Sequence, residues 1–370
     1  MRAVVLVGLL AIVALAAPKW HQLAGYSFER YAEDFGRAYP KGSAEWKHRE
    51  AIFTENLRAI KKHNADATQS YKKGVNQFTD VTRDEFKEYN RYKKSPLRPP
   101  MTETYTPTKG ETLPSTVDYR LNNNPRVLTA IKNQGMCGDC WAHSAVESME
   151  SYFAMKTGQL PVLSTQQITS CTQSMDGCGG GDAVMGWAYV NTTTGLTSEW
   201  AYPFVDIFVP RMSKSVTSPC KNISKEFKPF SWYNALTEVG IEGMGQVSPA
   251  NNAAAAKSAL ANRGPMSISV AALGWKDYES GVYQNNGNTT DDWSIDHAVQ
   301  MVGYGSDSAS GKDYWIVRNS WGTLWGEDGF IKLDRPATEP CNFWGDVCGT
   351  SGCLNGLNYP QVFQQKTKYF

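Results

Sequence analysis

The chain has 370 residues, of which 37 are basic and 36 acidic, so its formal net charge is +1. This length allows two or three compact units. The near balance of charge gives no reason to expect nucleic acid or an acidic surface as a partner.

The chain begins with an apolar segment. Residues 3–17 carry no charge, and Ala14-Leu15-Ala16 fits the small residues of a cleavage site. This run of about 15 residues is shorter than the roughly 20 that a spanning helix needs, which disfavours the alternative of a membrane anchor. We predict a signal peptide over residues 1–16, entry into the secretory pathway and no membrane span in the mature chain.

The next part of the chain, from about residue 20 to residue 95, has the pattern of amphipathic helices. It is rich in charge, and its apolar residues recur three or four positions apart. Six residues keep spacings of four, four, three, four and four positions, which hold them on one side of a helix: Glu45, Arg49, Phe53, Asn56, Ile60 and Asn64. Residues 74–80 then read Gly-Val-Asn-Gln-Phe-Thr-Asp. Both motifs resemble those of cathepsin L-type proregions, and a helical hairpin with chance matches is the alternative.

That resemblance implies a helical, inhibitory proregion over residues 17–112. Its C-terminal part would cross the active-site cleft in the direction opposite to a substrate. Residues 93–114 are rich in Pro and Thr and lack a helical period, as is typical of a linker. The run that begins at Leu113-Pro114 resembles the start of a mature papain-like enzyme. We therefore predict maturation close to residue 112 and a peptidase domain over residues 113–370.

A candidate nucleophile, Cys140, lies six positions after the side-chain amide of Gln134 and directly before Trp141. A thiol attacks as the thiolate, and a His partner or a helix N-terminus lowers the pKa of a cysteine to roughly 3.5–7.5. Apolar residues recur at helical spacing over residues 141–155. We therefore predict a helix whose positive end lies at Cys140.

Two candidate bases lie beyond residue 112, His143 and His297. His143 is three positions after Cys140 and would neighbour it on the helix. His297 opens a run that alternates like a buried strand. Asn319 lies in the run Tyr-Trp-Ile-Val-Arg-Asn-Ser-Trp-Gly over residues 314–322. It would supply the third group that orients the base in nucleophilic catalysis.

Taken together, these motifs resemble those of the papain-like cysteine proteases. The resemblance implies an α+β, two-domain fold, in which a helical domain (about 113–225) faces a β-rich domain (about 226–370) across the active-site cleft. It also implies an endopeptidase that is made as an autoinhibited zymogen and cleaves extended polypeptides through a thioester. Such an enzyme would act as a monomer in a lysosome-like or vacuolar compartment, or outside the cell.

The same resemblance gives each site residue a role. Cys140 would be the nucleophile, His297 the base and Asn319 its orienting partner. The side-chain amide of Gln134 and the Cys140 backbone N–H would stabilise the oxyanion. Trp321 would border the substrate site and shield the bond between His297 and Asn319.

Two residues depart from the usual pattern of the family. Phe is common at the position of His143, where we expect a buried helix residue; a second titrating group near the cleft is the alternative. Small residues are commoner at the position of Asp139. A carboxylate beside a thiolate disfavours the thiolate, but we expect Asp139 to be solvated and nearly silent.

The chain contains eight cysteines, which in a secreted protein should mostly form disulfides. If Cys140 is free, an odd number remains. The resemblance pairs Cys137 with Cys178 and Cys171 with Cys220, and it leaves the three cysteines beyond residue 340 open. Asn-x-Thr/Ser sequons agree with the secretory route and predict a glycoprotein; they begin at Asn191, Asn222 and Asn288.

Two functions from other classes remain as alternatives. The Cys137-Gly-Asp-Cys140 spacing also occurs in thioredoxin-like redox sites, whose βαβ context we do not find here, and a zinc site lacks its second pair. We therefore predict neither a metal nor a cofactor. A bond from Cys137 to Cys178 fits the protease, and one to Cys140 fits the redox protein. A protease-like binding protein is disfavoured because all four catalytic residues are present.

The substrate site is predicted from a glycine-rich run and three small residues. Gly180 and Gly181 resemble the wall that binds substrate backbone, because glycine lets a peptide come close. The resemblance places Ala183, Ser269 and Ala298 around the main specificity pocket, which takes the side chain two residues before the scissile bond. These small residues predict a roomy pocket for Leu, Phe or Val.

Two features of this pocket stay open in the sequence. Its floor comes from residues 348–359, where the register is uncertain. Asp182 lies on the rim and would favour a basic group.

Overall fold

Most helices lie before residue 192 and most strands lie after residue 238 in the computed structural model, which describes residues 17–122, 124–193, 195–205, 218–220, 239–285 and 290–364. The fold is α+β, which confirms the predicted class. The helices are α1 (Phe28–Asp34), α2 (Ala44–Ala65), α3 (Arg83–Lys87), α4 (Cys140–Thr157), α5 (Thr165–Cys171), α6 (Ala183–Asn191) and α7 (Ala253–Asn262). The strands are β1 (Tyr71–Lys73), β2 (Glu103–Tyr105), β3 (Val117–Asp118), β4 (Val239–Val247), β5 (Met266–Val270), β6 (Tyr278–Tyr283), β7 (His297–Asp307), β8 (Lys312–Arg318), β9 (Phe330–Asp334) and β10 (Asn358–Gln364).

Within the described residues, the strands follow the order β1-β6-β9-β8-β7-β5-β10-β4-β2, and β3 pairs with β7 beside this path. Both outer strands, β1 and β2, come from the N-terminal region (residues 17–112). Strand β1 pairs with β6 in antiparallel fashion, and β2 pairs with β4 in parallel. The N-terminal region therefore covers both edges of the sheet that the rest of the chain builds.

Helix α4 is the central helix of the peptidase part of the chain. It begins at Cys140 and ends at Thr157, and the next residue, Gly158, has a φ of 76° that suits a left-handed C-cap. The hydroxyl of Ser144 donates to Val299 O at 2.8 Å, and Gln300 Nε2 donates to Glu147 O at 3.1 Å. These bonds fix α4 against β7, so the helix that begins at Cys140 packs on the strand that begins at His297.

The N-terminal region has an apolar core of its own, and α2 explains the spaced motif of the sequence. Phe53 and Ile60 are buried in that core. The polar members bond to the segment that follows: Asn56 Nδ2 donates to Thr79 O at 2.9 Å, and Asn64 Nδ2 to Lys73 O at 2.7 Å. The motif therefore lies on the side of α2 against which residues 71–85 pack.

Each end of the peptidase part packs against the predicted domain that lies at its other end. Strand β3 lies within the predicted helical domain but pairs with β7, and Val362 of β10 is buried in the apolar cluster that contains the α4 side chains. The predicted signal peptide, residues 1–16, lies outside the described residues. Inside the described ranges, no helix is both long and apolar enough to cross a bilayer.

Candidate active site

The strands bring His297 and Asn319 together at one edge. His297 is the first residue of β7, and Asn319 directly follows β8. These strands are antiparallel with Gln300 opposite Arg318, so the start of β7 meets the end of β8. His297 Nε2 lies 2.8 Å from Asn319 Oδ1. Because Nδ1 is buried without a hydrogen-bond partner, it remains the nitrogen available to a thiol.

Trp321 covers this histidine. The rings of His297 and Trp321 stack with centroids 4.8 Å apart and an interplanar angle of 26°. Trp325 meets Trp321 edge-on, also at 4.8 Å. Both tryptophans are almost fully buried, so water is excluded from the bond between His297 and Asn319, as the sequence analysis expected for Trp321.

Cys140 is fully buried at the first position of α4. Its thiol lies near the backbone of Ala298, the neighbour of His297, and near that of Arg91 from the N-terminal region. Burial raises the pKa of Cys140 to about 12, and Asp139 and Asp296 add to the rise. Burial also lowers the pKa of His297 to about 4, against the bond from Asn319. At neutral pH both groups are therefore uncharged in this closed state.

The side chain of Gln134 points its amide at a carbonyl of the N-terminal region. Gln134 Nε2 donates to Tyr89 O at 2.8 Å and to Cys137 O at 2.9 Å. The hydroxyl of Ser320 donates to Gln134 Oε1 at 2.6 Å. Ser320 thus fixes which end of the amide faces the cleft, and Tyr89 supplies the oxygen that this donor binds.

The N-terminal region crosses the cleft along the glycine wall. Gly181 N donates to Arg91 O at 3.2 Å, and Lys93 N donates to Gly181 O at 2.9 Å. These bonds form a parallel bridge between Tyr92 and Gly181. A side chain at Gly180 would collide with Arg91 O, so the close approach requires glycine there.

Tyr92 fills the predicted specificity pocket. It is 9% exposed and belongs to the same buried apolar cluster as Ala183 and Ala298, and its hydroxyl lies near the side chain of Ser269. Of residues 348–359, which the sequence predicts to form the floor, Gly356 lies against a predicted pocket residue: a Cβ added there would lie 3.4 Å from Ser269 Oγ.

Asp182 is not an exposed rim residue but is fully buried. Arg98 of the N-terminal region binds it with two bonds, Nε to Oδ2 at 2.5 Å and Nη2 to Oδ1 at 2.7 Å. The sequence predicts a preference of Asp182 for a basic substrate group, whereas the basic group bound to it here is Arg98 of the same chain. No short motif could have found it, because the contact joins residues 84 positions apart.

Two aromatic residues that the sequence did not identify as site residues also cover Trp321. Phe78 and Phe86 pack edge-on against its ring, with centroids 5.5 and 5.2 Å away. Gln77 Nε2 donates to Trp321 O at 2.6 Å. The motif over residues 74–80 thus contacts the predicted substrate site directly, on the Trp321 side of the cleft.

The prediction for Asp139 was wrong. This residue is fully buried rather than solvated, and the hydroxyl of Thr169 donates to its Oδ2 at 2.7 Å. His143, which we expected to be buried, is 2% exposed, and its Nε2 lies 3.5 Å from Asp139 Oδ1. Burial lowers the pKa of His143 well below its usual value, with smaller contributions from Lys132, Arg318 and His297.

The cysteines form three bonds, Cys137–Cys178, Cys171–Cys220 and Cys341–Cys348. The first two are the pairs that the resemblance implied. Because Cys137 is bonded to Cys178, it is not available to Cys140 as a redox partner. Cys140 and Cys353 are free and buried. Of the sequons, Asn222 and Asn288 lie outside the described residues, and Asn191 is the exposed last residue of α6.

Comparison with known protein families matches residues 113–350 to the domain described as "Papain family cysteine protease". Residues 28–86 match the "Cathepsin propeptide inhibitor domain". The first match contains Cys140, His297 and Asn319, and the second ends at residue 86, before the segment that crosses the cleft at residues 89–93.

Individual cysteine proteases are similar to this chain over most of its length. Cathepsin L of Sarcophaga peregrina is 33% identical over 382 residues, which cover 97% of this chain and 99% of that protein. A probable cysteine protease of Arabidopsis thaliana is 35% identical over 318 residues, which cover 85% of this chain and 78% of that protein. Among solved structures, a digestive procathepsin L of Tenebrio molitor has a TM-score of 0.70 at 27% identity, with 90% of this chain and 97% of that chain covered. The precursor of stem bromelain has a TM-score of 0.72 at 30% identity, with the same coverage.

Proposed function

This chain belongs to the papain family of cysteine proteases and is a cysteine endopeptidase made as an autoinhibited zymogen, and we propose that four residues carry its reaction. Cys140 is the nucleophile, His297 the acid and base, Asn319 the group that orients His297, and Gln134 an oxyanion donor. The observation that carries this assignment is the bond between His297 Nε2 and Asn319 Oδ1, which leaves Nδ1 for the thiol.

In the proposed reaction, departure of the N-terminal region returns water to the cleft and removes the burial that keeps both groups neutral. The thiol of Cys140 then gives its proton to His297 Nδ1. The thiolate attacks the scissile carbonyl, and His297 returns the proton to the leaving amine, so that a thioester and a free amine result. Water, deprotonated by His297, then hydrolyses the thioester and restores the thiol.

The oxyanion of each tetrahedral intermediate is stabilised by the Gln134 side-chain amide and the Cys140 backbone N–H. Losing one donor of this kind typically costs about 10²–10³ in rate. In the precursor this amide is bonded to Tyr89 O. The same group therefore serves the inhibitor first and the reaction later.

The substrates are extended polypeptides with a large apolar or aromatic side chain two residues before the scissile bond. The position of Tyr92 among Ala183, Ala298 and Ser269 supports this assignment. Gly180 and Gly181 bind the substrate backbone, and Trp321 borders the opposite side. The parallel bridge between Tyr92 and Gly181 supports the expectation that the N-terminal region runs opposite to a substrate.

The remaining parts of the proposal concern the processing of the chain and its location. A signal peptide over residues 1–16 directs the chain into the secretory pathway, and residues 17–112 are removed close to residue 112 to free the peptidase domain, 113–370. The mature enzyme acts as a monomer in a lysosome-like or vacuolar compartment, or outside the cell. N-terminal sequencing of the matured protein tests the position of the cut.

The test of the catalytic assignment uses the purified precursor at about pH 5 with a reductant and a fluorogenic dipeptide amide that has Phe or Leu at its second position. We expect the wild type to lose its N-terminal region and hydrolyse the peptide, and Cys140→Ala to do neither. Cys353→Ala is the matched control, because Cys353 is the other free, buried cysteine of the described chain. It should mature and hydrolyse like the wild type.

Two results would contradict the assignment. One is hydrolysis by Cys140→Ala after an added protease has removed its N-terminal region. The other is a wild type that stays inactive after the same treatment, although its circular dichroism and melting temperature show an intact fold.

A further inference from the structure

Asp182 lies between the glycine wall and α6. It follows Gly181 directly, and its Oδ1 accepts the backbone N–H of Val184 at 3.0 Å, which caps the helix. The carboxylate is fully buried in the precursor. It therefore lies beside the place where substrate backbone is expected to bind.

Most of the partners of this carboxylate leave when the enzyme matures. Arg98 binds both of its oxygens, and Ser95 N donates to Oδ2 at 2.8 Å. Val184 N is the partner that remains in the peptidase domain among the bonds of the described chain. Removal of residues 17–112 thus takes away three of these four bonds, and a carboxylate that loses such partners gains strongly from a new cation.

Arg98 also shows which group this carboxylate accommodates. A guanidinium offers two parallel N–H groups that match a carboxylate, whereas an ammonium is a point charge. Arg98 Nη2 donates in addition to the hydroxyl of Tyr92 at 2.8 Å. Since Tyr92 occupies the specificity pocket, the Asp182 carboxylate lies within reach of a side chain in that pocket or next to it.

No other carboxylate competes for this role at the pocket floor. Residues 348–359 contain neither Asp nor Glu, and Gly356 is the residue that lies against Ser269. No charge preference is therefore expected from residues 348–359, and Asp182 is a carboxylate beside the pocket that already binds a guanidinium.

We propose that Asp182 is a specificity residue of the mature protease, where it binds an arginine side chain of the substrate at one of the positions two to four before the scissile bond. This inference rests on the proposed function and adds a substrate class to it. Arg98 of the proregion occupies the same subsite in the precursor, so one carboxylate first holds the inhibitor and then selects the substrate.

The test compares matured wild type, Asp182→Asn and Asp176→Asn. The asparagine at 182 keeps an oxygen for the helix cap, and Asp176 is an exposed carboxylate on the same loop, which controls for the change in net charge. The probes are fluorogenic peptide amides that carry either arginine or its uncharged isostere citrulline at position two, three or four before the scissile bond. Titration with an irreversible thiol-directed inhibitor gives the concentration of working enzyme.

At one of these positions we expect kcat/KM to be about 10- to 100-fold higher for arginine than for citrulline in the wild type and in Asp176→Asn, the range typical of a hydrogen bond to a charged group. In Asp182→Asn this ratio should fall below about threefold. A wild-type ratio near one at all three positions, or a ratio that Asp182→Asn retains, overturns the inference. A wild type that hydrolyses none of the peptides overturns the proposed function as well.

Discussion

The state of a single thiol separates the precursor from an active enzyme. Burial under the N-terminal region raises the pKa of Cys140 to about 12, so the thiol is neutral at any physiological pH. With such a pKa about one molecule in 10⁵ is a thiolate at pH 7, against a few per cent for an unperturbed cysteine. Electrostatics thus reinforce the steric block of the cleft.

This difference predicts the alkylation behaviour of Cys140. In a Cys353→Ala background, where Cys140 is the reporting thiol, the intact precursor should react with iodoacetamide at least about 100-fold more slowly at pH 7 than the matured enzyme. Because a raised thiol pKa makes the thiolate fraction grow tenfold with each pH unit, the precursor rate should climb steadily from pH 7 to pH 9. Mass spectrometry of quenched samples gives both rates. Equal rates in precursor and matured enzyme would contradict the explanation.

A second prediction concerns His143. Burial holds its pKa well below the usual value, and its two ring nitrogens have no hydrogen-bond partner. His143→Phe replaces a neutral buried ring by an apolar one, so the pH profile of kcat/KM should stay within about 0.3 unit and the melting temperature should stay equal or rise. If either limb of the profile moves by more than that, His143 titrates during catalysis and the alternative raised by the sequence is right.

Site residues that lie within a short motif could be predicted from the sequence. The residues that pack around them could not. Cys140, His297 and Asn319 each lie in a local run whose chemistry can be read from adjacent residues. Asp139 was misjudged because exposure depends on what packs over a residue, here α5 through Thr169. Arg98 and Gly356 depend on how distant segments meet, and the sequence of either segment contains no sign of the other.

At the scale of the helices, the spaced motif of α2 attaches this helix to α3. Arg49 Nη2 lies 2.7 Å from Glu85 Oε1, and Arg49 Nη1 lies 2.8 Å from Glu85 Oε2 and 3.1 Å from Asp80 O. The arginine side chain is only 5% exposed. The helical period of α2 was predictable from its spacing, whereas the attachment of α3 to it depends on this bidentate pair.

We predict that Arg49→Ala loosens the N-terminal region. Alanine removes both bonds from the guanidinium to the half-buried Glu85 carboxylate and the bond to Asp80 O, which should lower the free energy of unfolding by about 1–3 kcal/mol. Urea unfolding of the precursor in a Cys140→Ala background, which prevents self-cleavage, measures this loss.

Lys87→Ala is the control for Arg49→Ala, because Lys87 pairs with Asp84 on the surface of α3 and exposed pairs contribute about 0–1 kcal/mol. A loss for Lys87→Ala as large as that for Arg49→Ala would show that the bidentate pair has no special role.

At the scale of the whole molecule, the proregion is attached to the peptidase domain at both edges of the sheet and in the cleft between them. Strand β1 pairs with one edge of the sheet, residues 89–93 cross the cleft, and β2 pairs with the other edge. The catalytic contacts lie in the middle segment. The outer strands therefore hold both ends of the segment that blocks the cleft, and loss of either strand should weaken inhibition without touching the active site.

Thr102→Pro tests this view at the β2 edge. Thr102 N donates to Met244 O at 2.8 Å, and the Thr102 hydroxyl accepts from Met244 N, also at 2.8 Å. Proline removes both the backbone N–H and the hydroxyl. We expect the precursor to mature about 5- to 30-fold faster at pH 5, which corresponds to roughly 1–2 kcal/mol of lost attachment, while kcat/KM of the matured enzyme is unchanged. Gel analysis of precursor loss against time gives the rate.

Lys109→Pro is the matched control for this variant. Lys109 occupies the second position of the turn in which Glu111 N donates to Thr108 O, a position that proline suits, and it lies outside β2. Its maturation rate should equal that of the wild type. If Thr102→Pro also matures at the wild-type rate, the β2 edge contributes nothing to inhibition, and the cleft segment with Arg98 must hold the proregion without it. If both variants mature faster, the effect comes from a stiffer linker near the cut and not from the lost pairing.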